Sequence, residues 1–169
     1  MVVLVVDGYN IIGAWEELQK LKETDMSHAR DRLIELMAEY QAFSGYRIIV
    51  VFDAYYVKGI ASIQEEFKVE VIYTKEKETA DECIEKLVKD IKNVDTQVYV
   101  ATSDFAEQRT IFGSGALRKS ARELYIELKN IEIEIEESID RYKNVKPQAR
   151  IPLQKNILET FEKWRRGDK

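Results

Sequence analysis

The sequence is poor in the residues that staple, break or specialise a chain. A single cysteine, Cys83, excludes an internal disulfide and any zinc site built from thiolate clusters. A single histidine, His28, excludes zinc sites that need several imidazoles. It also weakens a Ser-His-Asp triad, because His28 stands in the charged stretch Ser27-His28-Ala29-Arg30-Asp31 and reads as an ordinary helix residue. Two prolines and 45% apolar residues argue against disorder, and 169 residues suffice for one domain with a substantial core. The opening apolar run, residues 2–6, meets Asp7 at once. That is too short for a signal peptide or a membrane span, so a cytoplasmic location is expected.

Excess positive charge is lacking too. A net charge of −5 argues against a generic nucleic-acid coat. Its distribution is uneven: residues 1–113 carry −8, residues 114–169 carry +3, and residues 143–169 alone carry +5. An acidic front with a basic tail suits a metal site beside an anion-binding surface, although a solvated charged surface would look the same in composition.

What is present is a pattern of short apolar runs at 2–6, 48–52, 69–73 and 98–101. Most are nearly continuous in Val and Ile, as strands buried on both faces must be. Helical periodicity lies between most of them, which predicts parallel βαβ units. The clearest helix spans 80–92, with the stripe Ala80, Cys83, Ile84, Leu87, Val88 and Ile91 and a capping-box start at Thr79 and Glu82. Residues 28–43 predict a second, with Ala29, Leu33, Leu36, Met37 and Tyr40 inward and Ser27 as its cap. Asp104 with Glu107 opens a third, running to Phe112. A fourth is expected from near Ala116, with the stripe Leu117, Ala121, Leu124, Leu128, Ile131, Ile135 and Ile139. Residues 131–135 also alternate like an edge strand, but the longer period favours helix. A short helix over 153–166 closes the chain. The expectation is one three-layer α/β/α domain over 1–169, with a central, mainly parallel sheet of at least four strands, the first strand in its middle. Residues from about 143 to 169 would form a basic helical extension.

Three of the runs end at or near an aspartate. Asp7 follows the first, Asp53 the second, and Asp104 stands shortly after the fourth behind Thr102 and Ser103; Asp81 lies in the first turn of helix 80–92. Parallel strands bring their carboxyl ends to one edge, where sites form. Carboxylates gathered there repel unless a cation joins them, and hard oxygen ligands select Mg²⁺ or Mn²⁺. Each residue also has a plainer reading: Asp104 as a helix cap, Asp81 as a partner of the helix dipole, Asp53 as turn chemistry. Asp7 before Gly8 reads best as a crevice residue. Downstream, Arg118, Lys119 and Arg122 are expected on one polar helix face, and Lys163, Arg165 and Arg166 flank Trp164. Such residues neutralise phosphates, and an exposed Trp164 would stack on a base; a buried Trp164 would anchor the last helix instead.

Asp7-Gly8-Tyr9-Asn10, Val51-Phe52-Asp53-Ala54, Glu78-Thr79-Ala80-Asp81, Ala101-Thr102-Ser103-Asp104, Gly115-Ala116-Leu117-Arg118 and the tail Phe161-Glu162-Lys163-Trp164-Arg165-Arg166-Gly167 occur in order along the whole chain. Together they resemble the NYN branch of PIN-like nucleases, and within it the YacP-type proteins of Firmicutes. The resemblance implies hydrolytic RNA cleavage with Mg²⁺ or Mn²⁺, with Asp7, Asp81 and Asp104 as the acidic positions and Asn10 beside them; Asp53, a further candidate metal ligand, and Ser103 are expected as lesser members of the same cleft. It further implies an endoribonuclease acting on mRNA at the translating ribosome. A nuclease of free structured RNA, such as rRNA or tRNA precursors, and a non-catalytic ribosome- or RNA-binding module are the alternatives. A phosphotransfer domain is disfavoured by the absence of Asp-x-Asp after the first strand and of a Gly-rich phosphate loop with a lysine.

Overall fold

The computed structural model describes residues 1–54, 63–66, 68–104, 111, 113–144, 163 and 165–167. In chain order its elements are β1 (Val2–Asp7), α1 (Gly8–Ala14), α2 (Glu16–Thr24), α3 (Met26–Ser44), β2 (Arg47–Phe52), β3 (Ile63–Glu66), β4 (Val69–Tyr73), α4 (Ala80–Ile91), β5 (Gln97–Ala101), β6 (Leu117–Lys119) and α5 (Ala121–Lys143). The sheet runs β3-β4-β2-β1-β5-β6. Five strands are parallel and β3 pairs antiparallel with β4 at one edge. The first strand lies in the middle, flanked by β2 and β5, which is why residues 3–7 are all buried.

Strand residues alternate between faces, and the two faces carry different layers. Val3, Val5, Ile49, Val51, Val98 and Val100 pack with Ala80, Cys83, Ile84 and Val88 of α4. Leu4, Val6, Ile48, Val50 and Phe52 pack with α1, α2, α3 and α5 through Ile11, Leu18, Leu33, Met37 and Leu124. The expected three-layer architecture is therefore present. The inward stripe of α3 is the expected one, and four of the six stripe residues of α4 are buried. The Thr79 hydroxyl caps α4 by accepting from the Glu82 amide at 3.2 Å.

Several elements differ from the sequence expectation. The N-cap of α3 is Asp25, whose carboxylate accepts from the Ser27 amide at 2.9 Å, so Ser27 is the capped residue. The helices α1 and α2 and the edge strand β3 were not expected. The helix expected from Ala116 begins at Ala121 instead. Gly115, at φ +82°, turns the chain, and Leu117–Lys119 joins β5 as a parallel strand with Ala101 opposite Lys119. Ser120 then starts α5, its hydroxyl accepting from the Glu123 amide at 3.0 Å. Residues 131–135 are helical as favoured, but Leu117, Ile135 and Ile139 of the expected stripe are exposed. The expected helix over 105–112 lies almost wholly outside the described residues. Of 153–166, only 163, 165 and 166 are described, and they are helical. The chain divides into two compact units, Met1–Ile131 and Glu132–Lys169.

Candidate active site

The carboxyl ends of the parallel strands form one edge of the sheet. Asp7 ends β1 there, opposite Val51 of β2, and is 6% exposed. The alternation that turns Val3 and Val5 towards α4 carries Asp7 to that same face. Asp7 occupies the N-cap position of α1, yet its side chain makes no capping hydrogen bond, so capping does not account for a carboxylate buried at this point. Gly8, the first residue of α1, leaves room for the ring of Phe52. A Cβ at Gly8 would stand 2.3 Å from the Phe52 ring, an impossible contact.

Three residues on, Asn10 ties this turn to the loop after β5. Its side-chain oxygen accepts from both the amide and the hydroxyl of Ser103, each at 2.6 Å. That loop is pinned further by buried Thr102. The Thr102 amide donates to the Lys119 carbonyl at 3.1 Å, and its hydroxyl accepts from the Asp104 amide at 3.1 Å. Asn10, Ser103 and Asp104 are thus held as a unit beside Asp7. Whether Asp104 also caps a following helix falls outside the described residues. Asp81 is exposed in the first turn of α4, which starts seven residues after the end of β4. Asp53 follows β2 directly, half-buried, in a turn fixed by the Ala54 amide donating to the Thr74 hydroxyl at 2.9 Å.

Among the described residues no three or more His, Cys, Asp or Glu side chains are gathered closely enough to hold a metal ion between them. The carboxylates line an open edge rather than a cage. The donors are all hard oxygens, and one or two carboxylates with water completing the shell is the set that Mg²⁺ or Mn²⁺ accepts. The residues present fit such an ion.

Two neighbours of the edge were missed in the sequence. The Tyr9 hydroxyl accepts from Arg30 Nη1 at 3.2 Å, and its ring lies 5.1 Å from that of Phe52. Burial pushes the Tyr9 phenol above its ordinary value of 10.0, against the opposing pull of Arg30, with Tyr73 and Asp53 adding to the rise. On the β5–β6 side a groove of about 460 Å³ begins at Ser103 and is lined by Trp15, Arg118, Arg122 and Tyr125. For its aromatic residues, only the helix that carries Tyr125 was expected; Trp15 and its meeting with Tyr125 were not.

The expected polar helix face of Arg118, Lys119 and Arg122 does not exist. Arg118 and Lys119 are neighbours on a strand and point to opposite sides. Lys119 is turned inward: its ammonium meets both oxygens of Glu127 at 2.8 Å and the Tyr40 hydroxyl at 3.4 Å, and its side chain is 11% exposed. Arg118 is half-buried and Arg122 is exposed, both on the groove. In the tail, Lys163, Arg165 and Arg166 are exposed, while Trp164 lies outside the described residues. His28 is an exposed residue of α3, 3.9 Å from Asp25.

A single turn, residues 7–10, therefore supplies both the buried carboxylate of the central strand and the amide that fixes the facing loop. Carried on a three-layer α/β/α domain, this is the carboxyl edge where parallel sheets form their sites. The chain belongs to the YacP-like NYN domain family, whose model matches residues 4–166. It is 56% identical over 168 residues to YacP of Bacillus subtilis (strain 168), covering 99% of each protein. Among solved structures it is similar to Rae1 (YacP) of Bacillus subtilis, with 56% identity and a TM-score of 0.76, and to the W164L mutant of that protein, with 51% identity and a TM-score of 0.77. In both cases the likeness covers 99% of this chain and 97% of the other. Family membership supports a nuclease role with RNA as substrate.

Proposed function

We propose that the protein is a metal-dependent endoribonuclease that cuts mRNA on the translating ribosome. The observation that carries the chemistry is Asp7, a carboxylate buried at the end of the central strand and not used as a helix cap. A divalent cation, Mg²⁺ or Mn²⁺, held there would supply charge neutralisation at the scissile phosphate and an activated water. Asp7 provides the fixed negative ligand. Asp81 and Asp104 complete the acidic edge from α4 and from the loop after β5, and Asp53 borders it. Asn10 acts through Ser103, holding the loop so that Asp104 stays in place. A carboxylate kept from bulk water retains its pull on a cation better than an exposed one, which suits Asp7 for the central role.

The partner follows from charge. Residues 1–113 carry −8, so free RNA is held weakly at physiological salt. A ribosome that presents one stretch of mRNA removes the need for strong independent binding. The exposed cations Lys163, Arg165 and Arg166, with Trp164 among them, are the residues for the ribosomal surface, and the site of action is the cytoplasm. The test compares one transcript with translation active and blocked, with Mg²⁺ and with chelator. The expected result is cleavage only where translation and Mg²⁺ are both present, with the protein co-sedimenting with ribosomes. Equal cutting of untranslated RNA would favour a nuclease of free RNA. Co-sedimentation without cutting in any condition would reduce the protein to a binding module.

A further inference from the structure

The groove beside Ser103 lies wholly within the unit Met1–Ile131 and shares a residue with the acidic edge. Ser103 is exposed, hydrogen-bonded to Asn10 on one side and followed by Asp104 on the other. What occupies the groove lies beside Ser103, which is one residue from Asp104 and doubly hydrogen-bonded to Asn10. Its walls combine two chemistries. Arg118 and Arg122 both line it, and guanidinium groups match phosphate oxygens through paired N–H donors. Tyr125 adds an aromatic ring that is 38% exposed.

That ring is not loose. Trp15 meets it edge-on at 5.6 Å between ring centres, and Lys129 stands 5.3 Å from its centre. Trp15 is itself 4% exposed and fixed by its indole N–H donating to the Ala121 carbonyl at 2.9 Å. A held aromatic loses little freedom on binding, as a stacking platform for a base should. A volume of about 460 Å³ falls in the range of roughly 300–1,000 Å³ typical of small-ligand sites. It admits one nucleotide with its base unpaired and is too small for a duplex.

We propose that this groove seats one unpaired nucleotide of the RNA strand next to the scissile phosphate, with Arg118 and Arg122 on its phosphate and Tyr125 against its base. The proposal rests on the reading of the acidic edge as an RNA-cutting site. It assigns the two arginines to the substrate strand rather than to the ribosomal surface, and it makes single-stranded RNA the local substrate.

The test uses the full chain and a fluorescent single-stranded oligoribonucleotide, with binding followed by anisotropy in chelator so that nothing is cut. Arg122→Gln and Tyr125→Leu are compared with Lys89→Gln, a control whose lysine pairs with Glu85 on α4. Each of the first two should weaken binding by about tenfold. Arg122→Gln should also flatten the salt dependence by about 0.7 in log Kd against log salt. In cleavage with Mg²⁺ their effect should fall on KM more than on kcat, and Lys89→Gln should match the wild type throughout. Unchanged oligonucleotide binding in both groove variants overturns the proposal. So does loss of ribosome co-sedimentation with oligonucleotide binding intact, because the arginines would then be docking residues. If the variants lose binding but the wild type cuts no RNA in any condition, the groove stands and the nuclease reading falls. Since Arg122 is exposed, Arg122→Gln leaves the fold intact, which circular dichroism verifies.

Discussion

The two faces of the sheet are held by different means. Under α4 the core is aliphatic, with Val3, Val5, Ile49, Val51, Val88, Val98 and Val100 around the single thiol of Cys83. Burial pushes that thiol up to about 11, far from the range of a reactive cysteine. On the opposite face the core includes Trp15, Tyr40 and Phe52, and its aromatic groups keep polar handles. Trp15 reaches the Ala121 carbonyl, Tyr40 donates to Glu127 at 2.7 Å beside Lys119, and Tyr9 accepts from Arg30. One face is held by area and the other by area plus located hydrogen bonds. The carboxyl edge draws on both: Asp7 projects on the α4 side, while the Asn10–Ser103 tether and the groove depend on the aromatic side.

The largest effect should come from setting the two contributions to the edge against each other. Asp7→Asn removes the buried charge and should lower RNA cleavage by more than about 100-fold. Asn10→Ala only releases Ser103 and should lower it by roughly 10- to 100-fold, the usual scale for residues that orient others. Initial rates with Mg²⁺ in excess decide this, and equal rates for Asp7→Asn and wild type would remove Asp7 from the site.

A stability comparison comes next. Trp15→Ala loses a buried ring, a hydrogen bond and the support of Tyr125, and should destabilise by about 3–5 kcal/mol. Val88→Ala, on the aliphatic face, should remove roughly 1–3 kcal/mol of apolar burial with no effect on the groove. Urea titration measures both, and only Trp15→Ala should also weaken oligonucleotide binding.

The smallest effect concerns one hydroxyl. Tyr40→Phe deletes the donor to Glu127 and should cost about 1 kcal/mol near neutral pH. Burial and Glu127 raise the Tyr40 phenol well above 10.0. The folded state therefore keeps a proton that the unfolded chain gives up, and stability falls as pH rises above about 10. Tyr40→Phe should lessen that alkaline loss, read as the difference in urea midpoint between neutral and alkaline buffer.

The apolar runs within β1, β2 and β5 were legible because burial on both faces leaves little room for polar residues. The stripe of α4 was legible because its period runs unbroken. The edge strand β6 was not, because three residues are too few to show a period and Leu117 happens to extend the helical stripe of α5 backwards. That one misreading also misplaced Lys119, since a helix puts neighbouring residues about 100° apart whereas a strand puts them on opposite sides. Asp7, Asp53 and Asp104 became candidates from where the strands stop, and Asp81 from the first turn of its helix. The Asn10–Ser103 bond and the pairing of Trp15 with Tyr125 join residues remote in sequence, and only the sheet order brings them together.

The placement of Arg118 and Lys119 on a three-residue edge strand has a consequence for register. Short edge strands are where register slips most readily, and a slip by one residue exchanges the faces of every side chain. Here a slip one way would bring Lys119 to the groove and Ser120 to Glu127, and a slip the other way would bring Arg118 to Glu127 and Leu117 to the groove. A cation would remain on each face, but only one of the two places now occupied would keep one, so the contact of Lys119 with both Glu127 oxygens and the lining of the groove by Arg118 hold together in this register alone.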